Sequence, residues 1–249
     1  MRFLHRNPPI FRRKGGLRRK EKNMTNIPHT ISILKKQIAE CEARYHREPH
    51  SVLLLAVSKT QPIEKIRWAI AGGQRAFGEN YVQESLEKIA LLASEYLEWH
   101  FIGVIQSNKT RKIAEHFSWV HTVSEKKIAQ RLNDQRPTHF PPLNICLQIN
   151  TSGESNKSGM DAKNSLQLAE YCRTLPHIKL RGLMSIPAPK NNFTEQREQF
   201  AQLAAIFHQL NERGFNLDTL SMGMSHDMEA AIAEGATIVR IGTAIFGDR

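Results

Sequence analysis

No stretch of this chain stays apolar over the roughly 20 residues that a membrane-spanning helix needs, so none is expected. Cysteine is scarce. Cys41, Cys146 and Cys172 are odd in number and far apart, which gives neither a disulfide framework nor the paired spacing of a metal site and suits a reduced cytoplasm. Tyrosine is sparse too: Tyr45, Tyr81, Tyr96 and Tyr171 all fall in segments with a helical pattern, away from where a site is expected. There is no internal repeat, and residues 29–249 contain no linker, so one domain is expected there.

What the chain has in excess is positive charge. A net charge of +11 would suit a nucleic-acid binder until the charge is located. Residues 1–23 carry nine Lys and Arg against one acid, Glu21, whereas residues 24–249 carry 26 bases against 23 acids. The basicity belongs to a tail. With Pro8-Pro9, Gly15-Gly16 and no sustained apolar run, the tail is too polar for a secretory signal and too broken for an amphipathic transit helix. The expectation is a disordered basic extension over 1–23, with Met24 as the working start and a folded unit over 24–249. A basic arm that touches RNA or anionic lipid is the alternative for the tail. For the folded unit neither nucleic acid nor a membrane is expected as a partner.

An amphipathic segment near 29–46, with Ile31, Ile33-Leu34, Ile38 and Cys41-Glu42, predicts an opening helix. Eight short β-type runs follow, at 52–57, 75–78, 99–103, 119–123, 144–149, 179–184, 219–222 and 237–241. Helical patterns near 63–72, 81–93, 108–117, 125–136, 161–174, 194–213 and 227–234 separate them. This alternation predicts a (β/α)8 TIM barrel rather than an open sheet. An open doubly wound sheet would need a Gly-rich turn after its first strand, and Ser58-Lys59-Thr60-Gln61-Pro62 is not one. Active sites of such barrels lie where the strands end, and the segments after these runs are polar or Gly-rich.

The first run closes on Lys59. A buried parallel strand is almost continuously apolar, so a lysine at its tip is either a snorkelling side chain or an amine kept neutral by burial. A neutral lysine amine forms Schiff bases with carbonyl compounds, pyridoxal phosphate among them. At the other end of the chain two loops are suited to an anion. In the first, Gly223 allows close backbone approach in Ser221-Met222-Gly223-Met224-Ser225-His226-Asp227, and Ser225 supplies a hydroxyl and a potential cap for the next helix. The second, Val239-Arg240-Ile241-Gly242-Thr243, repeats the arrangement. Each is bland alone; together, opposite a strand-end lysine, they point to a phosphorylated aldehyde cofactor.

These segments carry a resemblance. Val57-Ser58-Lys59-Thr60, Phe77-Gly78-Glu79-Asn80-Tyr81-Val82-Gln83-Glu84, Trp99-His100-Phe101-Ile102-Gly103, Gln106-Ser107-Asn108-Lys109, Lys157-Ser158-Gly159, Arg181-Gly182-Leu183-Met184, Gly223-Met224-Ser225 and Val239–Gly247 occur in order and at matching spacing. The chain resembles the YggS/PROSC-type pyridoxal phosphate (PLP) homeostasis proteins over residues 29–249. The resemblance implies a barrel of the alanine racemase N-terminal domain type with an extra N-terminal helix. It also implies PLP held as an aldimine on Lys59, with its phosphate at Ser225, Gly242 and Thr243 beside Gly223 and Met224. Val104-Ile105 and His226 depart from the commoner family residues but only flank the motifs, and the basic extension lies outside the pattern.

Other candidates stay open at this level. His100 either lines the cofactor pocket or is a hydrogen-bonded core histidine. Asn80 either meets the cofactor's phenolic oxygen or caps a helix, and Ser185, in the loop after the sixth run, is a further candidate. Arg240 either faces the pyridine nitrogen, as an arginine does in alanine racemase, or pairs outside with Glu229 or Asp227. Set against the ring, it would keep the nitrogen unprotonated and weaken the electron sink of PLP enzymes. The racemases also use a tyrosine from a C-terminal β-domain of the partner subunit; this chain ends at Arg249, and no such domain is expected. The expectation is therefore a cytoplasmic, monomeric PLP carrier that serves apo PLP-dependent enzymes. The alternative is a weak PLP-dependent racemase or decarboxylase.

Overall fold

The computed structural model describes residues 26–151 and 158–247. The basic extension and residues 152–157, with Lys157 among them, lie outside the described residues. The first helix, α1 (Ile27–Arg44), has proline in its first turn, where a missing N–H would be unpaired in any case. It buries one stripe of Ile27, Ile31, Leu34 and Ile38, and each such side chain contributes about 1.5–3 kcal/mol on burial. This stripe packs α1 against the second and the last two helices of the fold. The carboxylate of Glu42, buried near its end, accepts the backbone N–H groups of Val52 at 2.8 Å and His50 at 3.1 Å. That fixes the entry to the first strand.

Strand and helix then alternate: β1 (Leu53–Val57), α2 (Ile63–Ala71), β2 (Ala76–Glu79), α3 (Val82–Leu91), β3 (Glu98–Phe101), α4 (Thr110–His116), β4 (Trp119–Val123) and α5 (Lys126–Gln135). They continue as β5 (Leu143–Asn150), a two-residue β6 (Met160–Asp161), α6 (Ser165–Arg173), β7 (Ile178–Met184), α7 (Phe193–Glu212), β8 (Thr219–Ser221), α8 (Met228–Ala233), β9 (Ile238–Ile241) and α9 (Thr243–Phe246). All pairings are parallel. β1 to β5 are neighbours in order, β5 joins β7, then β8 and β9 follow, and β9 returns to β1 from Leu53↔Ile238 to Ala56↔Ile241. Eight strands therefore close into a barrel, while β6 only extends the end of β5. Strand ends lie within two residues of the expected positions. The short pieces β6 and α9 were not expected, because elements of two and four residues are too short to display a period.

Side-chain alternation along the strands sorts two interiors. On β1, Leu54 and Ala56 join the large apolar cluster between sheet and helices, while Leu55 points inward to Ala76 and Ile238. Trp119, Cys146 and Met184 form a second small cluster inside. The rest of the inner space is polar: His100, His121, Ser221 and Arg240 are all buried. Buried polar groups need partners, and how these four find them decides the shape of the site.

Candidate functional site

At the C-terminal ends of the strands lies a cavity of about 260 Å³. Seven of the ten residues expected from the sequence line it: Lys59, Asn80, Met224, Ser225, Arg240, Gly242 and Thr243. A larger concavity of about 590 Å³ lies at the opposite face, against Val52, Arg75, Ala76, Glu98 and Thr237, where the strands begin. In barrels of this kind chemistry resides at the C-terminal face, so the smaller cavity is the candidate site despite its size.

Lys59 is half-buried, two residues past β1, and both of its neighbours are fixed. Ser58 is fully buried. Its hydroxyl donates to Glu79 Oε1 at 2.6 Å, and its carbonyl accepts from Lys88 Nζ at 2.7 Å. Thr60 has a φ of 61°, a left-handed conformation that β-branched residues rarely adopt, and its N–H donates to Glu84 Oε1 at 2.6 Å. Lys88 joins the two acids, at 2.8 Å from Glu79 and 2.5 Å from Glu84. One buried ammonium thus ties down the residues before and after Lys59. Burial pushes the Glu79 carboxyl above the ordinary glutamate range, with Lys88 and Ser58 pulling against it.

Facing Lys59 across the cavity wall are the loops after β8 and β9. Gly223 has a φ of 94°, and a Cβ there would stand 2.6 Å from the Ala231 Cβ, so only glycine fits. Its carbonyl accepts the Arg240 N–H at 2.9 Å. The Met224 N–H is taken by Asp227 Oδ1 at 2.5 Å. The N–H groups of Ser225, His226, Thr243 and Ala244 have no acceptor among the described residues. These unpaired N–H groups in two adjacent loops, with the hydroxyls of Ser225 and Thr243, are the donor set of an anion cradle. Ser225 does not cap α8, as the sequence had allowed; Asp227 stands at that position and bonds back to Met224.

Arg240 turns inward. Its Nη1 donates to Ser221 Oγ at 2.9 Å and its Nη2 to the Ser185 carbonyl at 2.9 Å. Glu229, the outside alternative, pairs instead with Arg44 and Tyr45. Burial pulls the guanidinium down to about 10, which leaves it charged at neutral pH.

Three expected residues do not line the cavity. His100 is a core histidine: its Nε2 lies 2.6 Å from Glu98 and its Nδ1 2.9 Å from His121, and its ring stacks on Trp119. Residues 98, 100 and 102 share the inner face of the barrel, and the inward residue that reaches the cavity is Ile102. Ser185 contributes its carbonyl to Arg240, while the next residue, Ile186, reaches the cavity. Gly223 shapes the loop without lining it. Sequence reasoning missed Val57, Gln61, Ile102, Ile186, His226 and Gly247 as lining residues; Val57, Ile102 and Gly247 lie within the recognised motifs and the other three within two residues of one, and that was the only available signal.

Two tyrosines differ from expectation. Tyr96 lies outside any helix with a φ of 51°, and Tyr81 is the exposed residue just before α3, next to Asn80 of the cavity. Neither is among the residues lining the cavity. Among the described residues no group of His, Cys, Asp and Glu is arranged to hold a metal ion, and no helix is long and apolar enough to cross a membrane.

A closed parallel barrel with a lysine opposite two anion-ready loops defines a class, and comparison with known proteins places the chain within it. The model of the alanine racemase N-terminal domain family matches residues 34–249. The pyridoxal phosphate homeostasis protein of Pseudomonas aeruginosa is 55% identical over 226 residues, covering 91% of this chain and 97% of that protein. The Escherichia coli protein of the same name is 52% identical over 229 residues, covering 91% and 98%. The solved structure of PipY from Synechococcus elongatus with PLP bound has a TM-score of 0.73 and 39% identity, covering 84% of this chain and 100% of that one. The chain belongs to the alanine racemase N-terminal domain family, among the pyridoxal phosphate homeostasis proteins.

Proposed function

We propose that this protein binds PLP covalently through Lys59 and takes part in cytoplasmic PLP homeostasis, storing the cofactor or passing it to apo-enzymes, with no turnover of its own. The observation that carries this reading is the placement of Lys59 and the Ser225 and Thr243 loops on one cavity of about 260 Å³. The residues suit the cofactor. Backbone N–H groups of both loops have no acceptor among the described residues, as donors that meet an anion would. Asn80 Oδ1 is buried without a partner among the described residues, as a polar atom that meets a ligand would be.

When bound, PLP supplies an aldehyde that reacts reversibly with amines. Lys59 would be the covalent anchor, and Ser225, Gly242 and Thr243 would hold the phosphate. Arg240 has N–H donors only, so a ring nitrogen set against it would accept a hydrogen bond rather than carry a proton. That weakens the electron sink on which many PLP reactions depend. Release needs only exchange with another amine, which calls for no dedicated acid or base. Residues 24–249 are the binding unit in this reading, acting as a monomer, with 1–23 an appendage.

The test is a PLP titration followed by visible absorbance in wild type and in Lys59→Ala, repeated with amino acids present. A saturable visible band in wild type alone, without consumption of any amino acid, supports the reading. No band, or steady turnover that depends on Lys59, contradicts it.

A further inference from the structure

The polar interior of the barrel forms one continuous hydrogen-bonded line. Glu98, at the start of β3, lies 2.6 Å from His100 Nε2, and His100 Nδ1 lies 2.9 Å from His121 Nε2 on β4. His121 Nδ1 lies 2.8 Å from Ser221 Oγ on β8, and Ser221 accepts from Arg240 Nη1 on β9 at 2.9 Å. The line runs from the face where strands begin, where the Glu98 side chain is 47% exposed, to the guanidinium in the cavity wall.

Chemistry fixes the direction of every bond. An ionised carboxylate only accepts, so His100 donates from Nε2. Both rings are fully buried, which keeps them neutral, so His100 Nδ1 must accept and His121 must donate from Nε2. His121 Nδ1 then accepts the Ser221 hydroxyl, leaving the serine lone pair for Arg240, which only donates. Each link leaves the next residue a single role.

We propose that Glu98, His100, His121 and Ser221 are positioning residues that clamp Arg240 across the barrel, so that the state of Glu98 at one face is felt at the cofactor site at the other. The proposal rests on the PLP reading for its functional consequence but not for its structural core. Hydrogen bonding through a chain polarises its members, and a donor whose acceptor is removed must find another. None of the four side chains lines the candidate cavity, so each acts through Arg240.

The structural core is tested in cofactor-free protein by nitrogen NMR of the histidine rings and the Arg240 guanidinium. The relay predicts an N–H at Nε2 of both His100 and His121. It also predicts that Glu98→Ala shifts the ring resonances of both and the Arg240 side-chain signals, leaving the distant histidines His29 and His208 unmoved. Glu98→Gln, which keeps an acceptor oxygen, should restore the wild-type pattern; because Glu98 is half-exposed, both variants should fold. In the loaded protein Glu98→Ala should weaken PLP retention by roughly fivefold, the low end of coupling between sites, with Glu98→Gln rescuing most of the loss. A proton at His121 Nδ1, Arg240 signals unmoved by Glu98→Ala, or PLP retention unmoved by it would overturn the proposal. If PLP fails to bind wild type at all while the NMR pattern holds, it is the cofactor reading that fails and the clamp on Arg240 that stands.

Discussion

Thr60 donates its backbone N–H to the Glu84 carboxylate at 2.6 Å while held at a φ of 61°. The residue after Lys59 is thus kept in a strained conformation by a side chain of α3, and Glu84 is in turn held by Lys88. Replacing Lys88 by Met would leave the Glu79 carboxylate buried without its cation. Breaking a buried pair in this way costs about 3–5 kcal/mol, which urea denaturation would read directly. The double variant Lys88→Met, Glu79→Gln should recover a large part of that loss. A single variant as stable as wild type would mean that the cluster does not hold the lysine loop.

Acid should weaken the fold through the buried histidine pair. Burial pulls both His100 and His121 below the ordinary histidine value, and His121 well below it. Unfolded, each takes a proton near pH 6.5, so below about that pH the unfolded chain binds more protons and stability falls. The groups facing the pair are Glu98, Arg240 and each other's ring. Glu98 adds a second loss at lower pH. Its carboxyl is held below the ordinary range mainly by the His100 N–H, and that contribution disappears as pH drops through its folded pKa. The urea midpoint should therefore decline steadily from about pH 7 to about pH 5 in wild type and more gently in His121→Leu. A wild-type midpoint that is flat or rises on acidification would contradict the neutral-pair assignment.

Gly223→Ala combines two penalties. The left-handed backbone costs about 1–2 kcal/mol for an alanine, and the added Cβ meets the Ala231 Cβ at 2.6 Å. Gly214 has a comparable φ of 76° with nothing within 4 Å of an added Cβ, so Gly214→Ala carries the first penalty alone. Thermal denaturation of the two variants should show Gly223→Ala as the more destabilised, and it alone should retain PLP poorly. Equal losses would mean that the cradle tolerates a side chain.

A chain that starts at Met24 should keep the thermal midpoint and PLP affinity of the full chain, because the charge of residues 1–23 is separate from the nearly neutral remainder. A drop in either quantity would assign the extension a part in the fold or the site.

How far the sequence revealed the molecule depends on the range of the interactions. The β1 run, its closing lysine and the Gly-Ser and Gly-Thr loops were legible because strand period, a terminal charge and backbone freedom are local properties. The alternation of eight such runs with helices then dictated the barrel. The left-handed turn at Thr60 was not legible, since it depends on Glu84 reaching back over 24 residues. Nor was the true setting of His100. Its partner His121 lies 21 residues away and Ser221 a further 100, and only barrel closure brings them together. The direction of Arg240 was undecided for the same reason: its acceptors, Ser221 at the end of β8 and Ser185 just past β7, are distant in sequence.

The central claim is that Lys59 carries the cofactor. The most direct measurement is borohydride reduction of the PLP-loaded protein, followed by proteolysis and mass spectrometry of the pyridoxyl-labelled peptides. A single dominant label on the peptide containing Lys59, absent from Lys59→Ala, is the predicted result. A label on another lysine, or no label while PLP remains tightly bound, would contradict it.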